Sequence, residues 1–363
     1  MNSLQIGLAI VGGLVLAAVV AHGAWTARKN APRQPQQPAA SQTPELEPTF
    51  SDTRPDAGGH SESQGESGAG SRSDSAGMLL PTPISVRKPT MDSLIDVIAS
   101  LTLDSHTSSV AGETAIGAMP ATRRVGSKPF AVEGLNVNTR IWENPLPGQR
   151  YSAFQAGVQL ANRSGALNEI EYSEFVVKTQ AFADAISATP EFPEMRDEVA
   201  RARELDVFAG AHDAQLSFTI RARNASWSPG FIQQHAAQCG FVAGVLPGRM
   251  VLSASTEGVP PVLVLGFDSQ AALAEDPAQS AIREVSLHLD VAQVERSEQP
   301  FVRMRDIAFT LAHGMEGSVT DDHGQPLEAQ AMEMIGAELE KLYATLEQRD
   351  LPAGSALARR LFS

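Results

Sequence analysis

Residues 215–221 read Gln215-Leu216-Ser217-Phe218-Thr219-Ile220-Arg221, an alternation of apolar and polar side chains. A period of two is the pleat of a β-strand. Leu216, Phe218 and Ile220 share one face and Ser217, Thr219 and Arg221 the other, so the strand is buried on one side. The period then changes. Ser228 can cap a helix with Pro229 at its first position, and Gly240 can close it. Phe231, Ile232, His235, Ala236 and Cys239 form that helix's apolar stripe. Residues 250–255, 261–267 and 285–291 read as strands. A helix over 300–312 turns Phe301, Met304, Ala308 and Leu311 inward and stops at Gly314. A short strand over 318–321 precedes a long helix over 327–348, with Leu327, Ala331, Ile335, Leu339, Leu342 and Leu346 at three-to-four spacing. The order βαβββαβα calls for an α+β fold, an antiparallel sheet with helices on one face in a split β-α-β arrangement.

Upstream, Ile95, Val97, Ala99, Leu101 and Leu103 alternate with more polar neighbours, and 130–135 and 151–160 also read as strands. Tyr172, Phe175, Val176, Thr179, Phe182, Ala183 and Ile186 recur at helical spacing over 169–187. A second helix is expected over 192–205. Three strands followed by two helices do not match the interleaved order downstream. The two halves are therefore expected not to repeat each other, and 89–212 is set apart as an extra α+β module before 213–350.

The N-terminal part is unlike either. Residues 1–3 carry no charged side chain, and 4–25 are almost wholly apolar, long enough to cross a bilayer as a helix. The basic residues Arg28, Lys29 and Arg33 follow the run instead of preceding it. That places the N-terminus outside and the rest in the cytoplasm, with the run retained as a single-pass anchor. Gly7, Gly12 and Gly13 could mark a contact through which the helix self-associates, although their spacing is not GxxxG. Residues 26–88 are rich in Pro, Gln, Ser and Gly. They lack the large apolar side chains that would offset chain entropy, so a disordered linker is expected.

The 363 residues carry a net charge of −14, which argues against nucleic acid as a partner, and 6% aromatics offer few stacking platforms for bases. A single cysteine, Cys239, excludes an intramolecular disulfide and any zinc site needing two thiolates. No nucleophile-elbow, P-loop, zincin or dinucleotide fingerprint is present, and the eight histidines are scattered. No catalytic residue, metal or cofactor is assigned. Asp321, Asp322, His323 and Gly324 read as a turn between strand and helix, and Cys239, four residues after His235, as part of a core stripe.

Two further sets of residues bring a family into view. The exit from the apolar run, His22-Gly23-Ala24-Trp25-Thr26-Ala27-Arg28-Lys29, resembles that of the ZipA family of bitopic division proteins. In the head, Gly240-Phe241 with Gly248-Arg249-Met250-Val251-Leu252, and Gly317-Ser318-Val319-Thr320-Asp321-Asp322, are similar to the family's FtsZ-binding domain. The resemblance leaves out 89–212. It implies a non-enzymatic anchor and scaffold of the division ring, acting in septum assembly at midcell in the inner membrane. Its helix-free sheet face would take the C-terminal tail peptide of FtsZ. By resemblance Met250 and Leu252 fall on one groove strand, Val262, Val264 and Gly266 on the next, and Thr219 and His288 on the two others. Gln215, Ser217, Thr219, Ser286 and His288 are polar where the family is apolar at several of these positions. The alternatives are a membrane-tethered α+β regulatory or ligand-sensing adaptor that does not bind FtsZ, and a membrane-anchored enzyme without a recognisable motif.

Overall fold

A computed structural model describes residues 33–34, 91–321 and 323–363. The apolar run 4–25 and nearly all of the linker lie outside the described residues. Among the described residues no helix is long and apolar enough to cross a membrane. The chain from 91 on is α+β, with sheets that are antiparallel throughout.

The first half runs β1 (Asp96–Leu103), β2 (Val110–Ala111), α1 (Gly112–Ala118), β3 (Arg124–Val125), β4 (Lys128–Asn136), β5 (Trp142–Glu143), β6 (Arg150–Gln159), β7 (Ala161–Asn162), β8 (Gly165–Ala166), α2 (Glu169–Ile186), β9 (Ala188–Glu191) and α3 (Met195–His212). The second half runs β10 (Gln215–Ala222), α4 (Pro229–Gln238), β11 (Val242–Ala243), β12 (Arg249–Leu252), β13 (Leu263–Gly266), α5 (Ser269–Leu273), β14 (Glu284–Asp290), α6 (Pro300–Gly314), β15 (Gly317–Thr320), α7 (Ala329–Gln348) and α8 (Ala356–Leu361).

The termini of the main helices follow from local chemistry. Asn168 starts α2 in a capping box, accepting from the amides of Ile170 and Glu171 while the Glu171 carboxylate takes the Asn168 amide. Ser228 accepts the Phe231 amide and Pro229 occupies the first turn of α4, as the sequence requires. Helix α3 outruns its expected end and continues to His212, whose ring stacks on Phe208.

The expectation that the two halves do not repeat each other is corrected at the level of strand order. The first sheet has the order β3-β4-β6-β1-β9, and the second β11-β12-β13-β14-β10-β15. In each, the first long strand lies between the strand before the core-covering helix, α2 or α6, and the strand after it: β1 between β6 and β9, β10 between β14 and β15. A long helix then follows in each half, α3 or α7. The match extends to a detail. Val110, just before α1, pairs with Tyr151 at the start of β6, and Trp227, just before α4, pairs with Ile282 just before β14. Setting aside β2, β5, β7 and β8 in the first half and β11, α5 and α8 in the second, the chain builds one βαβββαβα topology twice.

Packing follows the same plan in both. Val97, Ala99 and Leu101 of β1 with Phe154, Ala156 and Val158 of β6 are buried under Phe175 and Phe182 of α2. Phe218 and Ile220 of β10 with Leu287 and Leu289 of β14 are buried under Phe301, Met304 and Ala308 of α6. Phe218 meets Phe301 edge to face at 6.4 Å.

Residues beyond 350, outside the span expected for the second domain, are folded. Helix α8 buries Ala358 and Leu361, with Phe362 following, and its last-turn carbonyls are held from both halves. Gln159 donates to Arg360 O at 2.8 Å and Gln293 to Phe362 O at 2.7 Å. The Arg360 guanidinium closes on the buried Asp96 carboxylate at 2.5 and 3.0 Å. A second junction lies at Arg163, which donates to Asp213 at 2.7 and 2.8 Å and to Asp290 at 2.7 Å.

Candidate functional site

The helix-free face of the second sheet follows from strand register. Val251 of β12 pairs with Val264 of β13, Val264 with His288 of β14, and His288 with Ser217 of β10. One row along lie Gly266, Ser286 and Thr219. None of these residues is in the buried core, while their neighbours Leu263, Leu265, Leu287 and Phe218 are. The face deepens into a groove of about 770 Å³ with Val264, Gly266, Ser217 and His288 along its floor. Leu246 and Pro247 from the β11–β12 turn, and Pro260 and Pro261 from the β12–β13 loop, form its walls. The turn is built by Gly248 at φ +73°, where a Cβ would stand 2.5 Å from Phe267 O.

Two of the expected groove residues are elsewhere. Met250 and Leu252 are 5% and 6% exposed, and their cross-strand partners are Leu265 and Leu263, so they belong to the helix-covered core. The side-chain period of a strand is two, so a parity error of one residue moves the whole set to the opposite face. Val251 stands where Met250 was expected. Thr219, Val264, Gly266 and His288 lie together on the open face. Val262 also lines the groove although it is only 1% exposed, so it forms a closed end of the floor.

Sequence reasoning missed Val251, Asp290 and the proline walls. Asp290 lines the groove's end, where its Oδ2 takes Arg163, and burial pushes its carboxyl above the usual range against the pull of that guanidinium. The first half of the chain thus supplies the charge that balances one end of the groove in the second. Chemically the floor mixes Val264 and Gly266 with the Ser217 hydroxyl and the His288 imidazole, and it ends at the Asp290 carboxylate.

The corresponding face of the first sheet is not free in the same way. Met91, 6% exposed, lies over Gly157 of β6, where an added Cβ would stand 2.3 Å from its sulfur. The Met91 amide donates to Glu133 at 3.3 Å. The chain's own residue therefore occupies part of that face.

The other candidate polar groups have structural settings. The Asp321 carboxylate accepts the amides of His323 and Gln325, at 2.9 and 2.8 Å, in a turn completed by Gly324 at φ +79°. Burial pushes the Cys239 thiol up, away from the thiolate. The His235 imidazole is pushed below its ordinary value by burial and then by the positive charge of Arg33.

The second sheet thus carries helices on one face and leaves the other open, with apolar and polar side chains side by side. Residues 272–338 match the family model of the ZipA C-terminal FtsZ-binding domain, and the resemblance read from the sequence holds over this segment. The match spans α5 to the first half of α7, and so includes His288, Ser286 and Asp290 of the groove. No curated protein matches the chain.

Proposed function

We propose that the chain is a non-enzymatic anchor and scaffold of the bacterial division ring, whose second sheet binds the C-terminal tail peptide of FtsZ. The observation that carries this reading is the open groove on β10, β12, β13 and β14, part of which falls in the segment matched to the FtsZ-binding domain. A tail peptide laid in the groove buries Val251, Val264 and the proline walls, at about 25 cal/mol per Å² of apolar area removed from water. Ser217 and His288 offer polar partners on its floor, and Asp290 one at its end. In the same reading residues 4–25 span the inner membrane with the N-terminus periplasmic, and the linker lets the head reach filaments at midcell. The apolar run and the basic residues after it support that topology.

A tail peptide bearing a photoreactive phenylalanine tests the site. Adducts are expected on the Val251–Val264–His288 row. Adducts confined to α6 or α7 would place the peptide on the wrong face. For the topology, alkaline phosphatase fused after Ser363 should be inactive and a cytoplasmic fluorescent reporter there should be bright. An active phosphatase would reverse the orientation.

A further inference from the structure

Arg33 belongs to the linker by sequence, yet it lies on the head. Its amide donates to Ser226 O at 2.8 Å, and its carbonyl accepts the Ser228 amide at 3.0 Å. This forms a parallel bridge to Trp227. On the other side of Trp227 the backbone exchanges hydrogen bonds with Ile282 at 2.8 and 2.9 Å. Residues 226–228 therefore act as a strand whose outer edge is completed by Arg33. Two side chains add to this. The Arg33 guanidinium pairs with Glu316, and Gln34 donates to Ala278 O at 2.5 Å. The segment reads Pro32-Arg33-Gln34-Pro35, and a residue before proline is held extended, as strand addition requires. Beside the bridge is a pocket of about 370 Å³ bordered by Phe231, Gln234 and His235.

We propose that residues 226–228 are an edge-strand docking site for an extended segment bearing a central arginine, occupied in cis by Arg33 and Gln34. Backbone pairing supplies the fit, and the Glu316 carboxylate selects an arginine at the central position. The geometric consequence rests on the membrane reading above, although the docking does not. Seven residues lie between Trp25 and Arg33, so the eight steps span at most about 29 Å at about 3.6 Å per residue. Docked, the head stays close to the end of the apolar run. Undocked, its reach is set by the whole linker.

The test uses the full chain with Cys239→Ser, Gln34→Cys and Ala278→Cys, treated with a short bismaleimide, alongside hydrogen exchange of the Arg33 and Ser228 amides. Intramolecular cross-linking and slowed exchange at both amides are expected. Glu316→Arg should reduce both effects about two- to fivefold, the range for a solvent-accessible ion pair. The exchanged pair Arg33→Glu with Glu316→Arg should restore them. An Arg33 amide exchanging as fast as in an unstructured peptide would overturn the docking. Cross-links formed only between copies would overturn its cis character, and a Glu316→Arg chain indistinguishable from the parent would overturn the role of the ion pair. FtsZ tail binding should be unchanged in all these variants, so failure here is separable from failure of the groove.

Discussion

Replacing Arg360 by alanine should destabilise the folded chain by about 3–5 kcal/mol at neutral pH, the cost of leaving one member of a buried ion pair alone. Asp96 opens β1 in the first sheet and its side chain is 1% exposed. Its carboxylate is held by both terminal nitrogens of Arg360 and by the Asp92 amide at 2.8 Å. Without the guanidinium the charge keeps one amide partner in a site closed to water. Even with Arg360 present, burial holds the Asp96 carboxyl above its ordinary value of 3.8. The sign follows. A carboxyl raised in the folded state takes up its proton there first, so its stabilising contribution is complete below 3.8 and is lost as pH rises through the folded value. Loss of Arg360 raises that value further. The deficit of Arg360→Ala should therefore be largest near neutrality and shrink on acidification. Asp96→Asn should cost less than Arg360→Ala at the same pH, because it removes the charge with its penalty. Urea unfolding of the three proteins at two pH values checks this. A deficit under about 1 kcal/mol for Arg360→Ala would mean that Asp96 is solvated.

The second large effect is on binding. Val264→Asp should weaken FtsZ tail binding at least about tenfold, or about 1.4 kcal/mol. The residue sits mid-groove between Val251 and His288, and the introduced carboxylate must lose water under the peptide with no cationic partner assured to it. Folding should be retained, because Val264 is only half-buried and faces away from the helices. Met250→Asp provides the contrast. Met250 is 5% exposed in the helix-covered core, so a charge there should unfold the second half instead of acting at the groove. The same pair of variants tests the corrected strand parity directly. Selective loss of binding in Met250→Asp with an unchanged melting curve would return that side chain to the open face.

The second half of the chain was legible because its elements carry strong local signals. The Ser228-Pro229 start of α4, the alternation in β10 and the heptad-like stripe of α7 each fix an element without tertiary help. The sequence of the first half predicts three strands and two helices because the remaining elements, α1, β9 and the two-residue β3 among them, are weak in isolation. Helix α1 has the sequence Gly-Glu-Thr-Ala-Ile-Gly-Ala, with two glycines in seven residues, and β9 is Ala-Thr-Pro-Glu, four residues with a proline. Their order comes from pairing and packing: β9 exists through its register with β1, where Thr189 meets Thr102 and Pro190 meets Leu101. Missing both hid the repeated topology.

The groove was half legible for a related reason. Arg249-Met250-Val251-Leu252 is apolar at three successive positions, so period alone does not say which side faces the helices. Only the pairing of Met250 with Leu265 settles it. Val264, Gly266, His288 and Thr219 came out on the open face because their strands alternate more cleanly. Asp290 with Arg163, and Arg33 with Glu316, join residues 127 and 283 positions apart, and no local pattern announces such pairs.

On the proposed reading, the open face of the second sheet receives the FtsZ tail. The most direct measurement is a titration of fluorescently labelled FtsZ tail peptide into the unmutated full chain and into Val264→Asp, at matched salt. Saturable binding to the first, weakened at least about tenfold in the second with an unchanged melting curve, is the predicted result. No saturable binding to the unmutated chain at millimolar peptide, or equal affinity in the two proteins, would contradict it.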